Sequence, residues 1–202
     1  SSEIQISYDP HENFSYLEIC NQYFSTPKVN QESIFEREEL IDEISSALDN
    51  IHLGSVLIEG PSGSGKSMAI QHTLDSWKDR NPGIHIYSTS ASNFIKKIQS
   101  KHFAWQSGII ELGQTLNNKP VIIYLQDLFS FFNIGKYENY NISVGAFLGP
   151  YIHRGDIRII TEVTEEERAK IEAINPNYLN YFQYFLLMNQ ILYLINCVYN
   201  NY

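Results

Sequence analysis

The first sustained pattern of apolar and polar positions in the chain is "FEREELIDEISSALDN". Leu40, Ile41, Ile44 and Leu48 fall on one side of a 3.6-residue repeat and carboxylates on the other, which predicts an amphipathic helix. The apolar run "SVLIEG" reads as a short buried strand; after a block of Gly, Ser and Pro, helical spacing resumes in "KSMAIQHTLDSW". "NPGIHIYSTS" opens as a turn and continues as a strand, and "ASNFIKKIQ" and "SGIIELGQTLNN" carry helical spacing. "KPVIIYLQD" gives the strongest strand signal, with five apolar residues in a row from Val121 to Leu125. Then come a helix in "ISVGAFLGPYIHRGD" closed by a Gly-Asp turn, a strand in "IRIIT", and a helix in "TEEERAKIEAI" with Thr164 as its N-cap and acids in its first turn. Strands alternating with helices predict an α/β fold, a parallel sheet sandwiched between helices with right-handed crossovers.

The two ends break this rhythm. Residues 1–32 mix Pro, Asn, Ser and aromatics without a sustained period and read as an arm laid over the domain, whose body spans 33–182. The last thirty residues, 173–202, contain no Asp, Glu, Lys or Arg. Within them, 183–202 is expected to form an uncharged helix, with Leu186, Leu187, Ile191, Leu194, Ile195 and Val198 on its apolar side. A membrane span is disfavoured because Gln183, Asn189, Gln190 and Asn196 interrupt the apolar run that a spanning helix needs. A buried or partner-facing helix is the expectation.

Composition narrows the class. The chain has 202 residues, 43% hydrophobic and 18% charged, enough for one globular domain with a closed core. Its net charge of −9 argues against broad nucleic-acid binding, which needs clustered cations facing phosphate; Lys96, Lys97 and Lys101 supply only a local basic spot. Two cysteines, Cys20 and Cys197, cannot make a disulfide framework, and no basic-led apolar segment opens the chain, so a cytoplasmic, reducing location is expected. His52, His72, His85 and His153 lack the paired spacing of a zinc site. Fourteen tyrosines are more than a chain of this size ordinarily carries and suit an interface.

The small-residue block carries the chemistry. Gly60-x-x-x-x-Gly65-Lys66-Ser67 lies where a strand ends and a helix begins, the setting of a phosphate-binding loop. Glycines let the backbone close around phosphate oxygens and turn N–H groups inward, and the helix N-terminus adds the positive end of its dipole. Gly60, Pro61, Ser62, Gly63, Ser64, Gly65, Lys66, Ser67 and Met68 are therefore candidates to hold ATP or ADP, with Lys66 on the β- and γ-phosphates and the Ser67 hydroxyl on Mg²⁺. Hydrolysis also needs a carboxylate at the end of a buried strand; "VIIYLQD" offers Asp127, a candidate for metal binding and catalysis, with the N-cap of the following "LFSFF" as the lesser alternative or a second job.

In this order the motifs resemble the first AAA+ module of the Clp unfoldase and disaggregase ATPases. The resemblance runs from about Ser33 to Phe182 through "SIFEREELIDEI", "SVLIEGPSGSGKS", "VIIYLQDLFSFF" and "VGAFLGPYIHRGDIRIITEVTEEERAKI". It implies a P-loop NTPase (AAA+) three-layer sandwich, Ile34 and Phe35 against the nucleotide base, and protein partners or self-assembly. The chain also departs from the family. Gln126 stands at the family's magnesium-associated Asp and Asp127 at its catalytic Glu; the sensor position falls on Thr161 or Glu162, the sequence leaving the register open between them. Asn180 and Tyr181 stand where the family carries paired arginines. His102, Phe103 and Trp105, in "QSKHFAWQSG", either line a channel or anchor helices in the core. A Clp-type protein-remodelling ATPase of weak turnover is therefore expected. The alternative is a nucleotide-binding scaffold that acts through protein contacts without turnover, and a small-molecule phosphotransferase is the weaker third reading.

Overall fold

A computed structural model describes residues 13–27, 38–49, 54–136 and 141–187 of the chain. Five strands, β1 (Val56–Glu59), β2 (His85–Ser90), β3 (Val121–Gln126), β4 (Ile159–Val163) and β5 (Gln183–Leu186), form one parallel sheet in the spatial order β2-β3-β4-β1-β5. Parallel neighbours cannot be joined by tight turns, so helices carry the chain back between strands. The helices are α1 (Asn13–Tyr23), α2 (Glu38–Leu48), α3 (Lys66–Arg80), α4 (Ala91–Gln99), α5 (Trp105–Leu116), α6 (Leu128–Phe132), α7 (Val144–His153) and α8 (Glu165–Ile174), with a 3₁₀ turn at Tyr178–Tyr181.

The pleat divides the core in two. On one face Val56, Ile58, Ile122, Tyr124 and Ile160 pack against Ile44 and Leu48 of α2 and Ile70, Leu74 and Trp77 of α3. On the other, Leu57, Ile123, Leu125, Ile159 and Val163 meet α1, α4, α5, α6, α7 and α8 through residues such as Tyr16, Phe94, Trp105, Phe131 and Ile171. Each fully buried aliphatic or aromatic side chain contributes about 1.5–3 kcal/mol, so both layers are needed to offset chain entropy. Helix starts follow local chemistry: Thr164 accepts from the Glu167 amide (3.3 Å) while the Glu167 carboxylate accepts from the Thr164 amide (2.8 Å), a reciprocal cap. The expected three-layer α/β sandwich, a parallel sheet between helices, is the fold observed.

Two expectations for the ends change. The irregular reading of the N-terminal arm fails over Asn13–Tyr23, where α1 places Tyr16, Cys20 and Tyr23 in the core. Those residues are spaced four and three apart, a helical stripe built from tyrosines and a cysteine instead of aliphatics. At the other end, the uncharged segment expected to be helical from 183 begins as β5, which adds to the free edge of β1 with Val56 opposite Gln183 and Glu59 opposite Leu186. The sheet thus extends past residue 182. The remainder of that expected helix, 188–202, lies outside the described residues, as do Ile34 and Phe35.

Candidate functional site

β1 ends on the sheet's carboxyl edge, and residues 60–65 turn from there into α3. The Gly60 amide donates to the Val163 carbonyl (3.2 Å), tying the start of the loop to β4, and the Ser64 amide donates to the Pro61 carbonyl (3.1 Å), closing its turn. Gly63 and Gly65 adopt φ of 75° and 84°, which a side chain would strain. Gly65 is the N-cap of α3 and provides no side-chain cap, so the first amides of the helix remain open toward a ligand. Ser64 Oγ is buried without a hydrogen-bond partner among the described residues. Such an orphan polar atom in a loop of open amides is what a phosphate cradle leaves before its anion arrives.

Lys66 is 8% exposed, and its Nζ donates to the carbonyls of Gly60 (2.7 Å) and Pro61 (2.9 Å). The ammonium therefore lies folded over the loop and can exchange two neutral carbonyl acceptors for anionic phosphate oxygens, adding ion pairing to its hydrogen bonds. Ser67, exposed in the first turn of α3, donates to both oxygens of Glu162, at 2.7 and 2.9 Å. Met68 is half-buried behind it.

β4 lies between β1 and β3, so its end sits between the loop and the β3 tip. Successive residues alternate across the pleat. Glu162 follows Ile160 onto the α3 face and reaches Ser67, whereas Thr161 is fully buried on the opposite side, its hydroxyl donating to the Leu125 carbonyl (2.7 Å). Tyr124, on the same face of β3, donates its phenol to Glu162 (2.5 Å). Burial, and then the Glu162 carboxylate, push that phenol far above its ordinary pKa, so it stays a donor throughout the neutral range. Gln126 is exposed at the β3 tip. Asp127 follows at φ 59° and N-caps α6: one carboxylate oxygen accepts from the Ser130 amide (3.3 Å) and the other from the Ser130 hydroxyl.

The structure therefore brings Ser67, Glu162 and Tyr124 together, keeps Lys66 on the loop carbonyls, and holds Asp127 at the start of α6. Tyr124 is a site residue that sequence reasoning missed inside an apolar run; counting back by two from Gln126 would have placed it on the loop-facing side. Behind the loop, buried Glu59 pairs with Arg168 of α8 (2.6 Å) and accepts from Tyr184 of β5 (2.5 Å), bracing the end of β1. The aromatic trio separates: Trp105 is buried and donates to the Gly135 carbonyl (3.2 Å), His102 meets Tyr23 (2.6 Å), and Phe103 projects fully into solvent. Among the described residues, no helix is long and apolar enough to cross a membrane.

No family model and no curated protein matches the chain. Solved structures do. A closed-state reconstruction of Hsp104 with ATPγS and FITC casein superposes with a TM-score of 0.65 at 16% identity, covering 83% of this chain. The ADP complex of S. cerevisiae Hsp104 superposes with a TM-score of 0.53 at 16% identity over 85%, and the extended S. cerevisiae Hsp104–casein complex at 0.57 and 13% over 85%. The chain spans 30%, 24% and 29% of those respective chains. At such identities the likeness is one of fold: the parallel sheet and its flanking helices superpose on part of an Hsp104 chain.

Proposed function

We propose that the chain is a nucleotide-binding AAA+ module that takes ATP or ADP with Mg²⁺ on the loop 60–67 and works through protein partners or self-assembly. The observation that carries this reading is the loop itself, with an uncapped helix N-terminus, an orphan Ser64 hydroxyl, and a lysine held over it by two carbonyls. The oxygen donors around Ser67 fit Mg²⁺, which is bound by one or two carboxylates together with the phosphates of its nucleotide. Mg²⁺ would neutralise charge on the β- and γ-phosphate oxygens. The chain's own groups hold the polyphosphate: Lys66 by charge, Ser64 and the amides of the first α3 turn by hydrogen bonds.

Slow or absent hydrolysis is part of the proposal. Gln126 is neutral, Asp127 is engaged by Ser130, and Asn180 and Tyr181 offer no guanidinium to a neighbouring subunit. An arginine finger contributes about 10³–10⁵ in turnover where one operates, so its replacement favours occupancy over turnover. Exposed Phe103 is the side chain we assign to contact with a protein partner. Hsp104 in the neighbouring structures is bound to casein and to nucleotides; client remodelling here is the extension of that likeness, and a non-hydrolysing scaffold is the alternative favoured by the β3 tip.

Calorimetry with ATP and ADP, alongside phosphate release, tests the proposal. The parent chain should bind both nucleotides and turn over slowly, and Lys66→Ala should weaken binding about 10- to 100-fold, the loss of a charged hydrogen-bond donor. Undetectable binding by the folded parent chain refutes the reading; turnover at the ordinary enzyme rate of about 10 s⁻¹ refutes the scaffold alternative.

A further inference from the structure

We infer that the protein carboxylate serving the metal of a bound Mg²⁺-nucleotide is Glu162 of β4, oriented by the Tyr124 hydroxyl, and that no acid at the β3 tip takes this role. The inference rests on the nucleotide reading above and goes beyond it by moving the metal-binding acid to another strand. In P-loop proteins the metal sits between the hydroxyl that follows the loop lysine and a strand-end carboxylate, so the acid in contact with that hydroxyl marks the place. Here that acid is Glu162, whose two oxygens lie 2.7 and 2.9 Å from Ser67 Oγ.

Three observations favour β4 over the β3 tip. Gln126, one residue past the apolar run, has an amide and no charge. Asp127 sits at positive φ with its carboxylate oxygens accepting from Ser130 of α6, whereas those of Glu162 accept from Ser67 of the loop. Tyr124, on the α3 face of β3, donates to Glu162 and so commits that face to orienting an acid from the next strand. Glutamate has the reach for this transfer, with one methylene more than aspartate, and the pleat turns it toward α3. Tyr124 acts as a positioning residue: its hydroxyl satisfies one carboxylate oxygen and fixes the side chain's direction, as partners of metal-binding carboxylates do.

The test measures ADP affinity by calorimetry in excess Mg²⁺ and in EDTA, for the full chain and three variants. The parent should bind more tightly with Mg²⁺. Glu162→Gln should bring the ratio of the two affinities close to one, since the carboxylate that holds the metal has been removed. Its affinity in EDTA should be equal to or above the parent's, since a carboxylate facing phosphate has been removed; a misfolded variant would instead lose the EDTA binding. Tyr124→Phe, which keeps the ring, should lower the ratio roughly three- to tenfold with EDTA affinity unchanged, a split that packing damage would not give. A parent ratio of one, an unchanged ratio in Glu162→Gln, or a collapse of the ratio in Asp127→Asn overturns the inference while leaving nucleotide binding intact. Absence of ADP binding to the parent in both buffers overturns the nucleotide reading and this inference with it.

Discussion

Asp127 sits where a backbone requirement and a capping requirement coincide, and the two can be separated by substitution. Its φ of 59° is the left-handed region, costing an ordinary L-residue about 1–2 kcal/mol, less for Asp and Asn. Its carboxylate also caps α6 through the Ser130 amide, worth about 1 kcal/mol. Asp127→Ala loses the cap and gains the strain, a total of about 2–3 kcal/mol. Asp127→Gly loses the side-chain cap but relieves the backbone, so its net cost is below about 1 kcal/mol. Asp127→Asn keeps both and stays close to the parent. For a chain of this size 1 kcal/mol moves Tm by about 2–4 °C, so scanning calorimetry should find Ala about 5–10 °C below the parent, with Gly between Ala and Asn. If Ala melted with the parent, or Gly fell below Ala, the conformation assigned to Asp127 and its role on α6 would both be wrong.

Two further outcomes follow from desolvated titratable groups. Cys20 is fully buried and its thiol is pushed up to about 12 by desolvation, leaving roughly one molecule in ten thousand as thiolate at pH 8; in a Cys197→Ser background, alkylation should be slow in buffer and fast in urea, and equal rates would refute the packing of α1. His85, desolvated on β2 and close to Lys78, titrates below its ordinary value near 6.5, so the unfolded chain takes up its proton first as pH falls. Stability present above that pH should decline below it, and the urea midpoint should drop more between pH 7.5 and 5.5 in the parent than in His85→Gln; equal drops would remove His85 as the cause.

The central elements were legible because their patterns were locally consistent. "VIIYLQD" and "SVLIEG" are apolar on both faces, as parallel strands buried between helices must be, and Thr164 with Glu167 spells a reciprocal cap. α1 was hidden because its stripe is made of Tyr16 and Tyr23, a residue type intermediate in burial, with a single cysteine between them and no run of aliphatics. In "QYFL" the alternation that makes β5 is too short to outweigh the helical spacing of the residues that follow, and its pairing with β1 is a tertiary fact. The site shows the same division. Local backbone chemistry fixes the loop from Gly60 to Ser67, whereas the meeting of Ser67 with Glu162, 95 positions apart, depends on β4 lying between β3 and β1.

The account turns on whether the amides of residues 62–67 receive phosphate. Hydrogen–deuterium exchange of the peptide covering Gly60 to Met68, with and without saturating ADP, reads those amides directly. Exchange there should slow markedly on adding ADP in the parent chain, and in Lys66→Ala the same slowing should need about 10- to 100-fold more ADP. Exchange in that peptide indifferent to saturating nucleotide, in a parent chain that still unfolds cooperatively, would contradict the account.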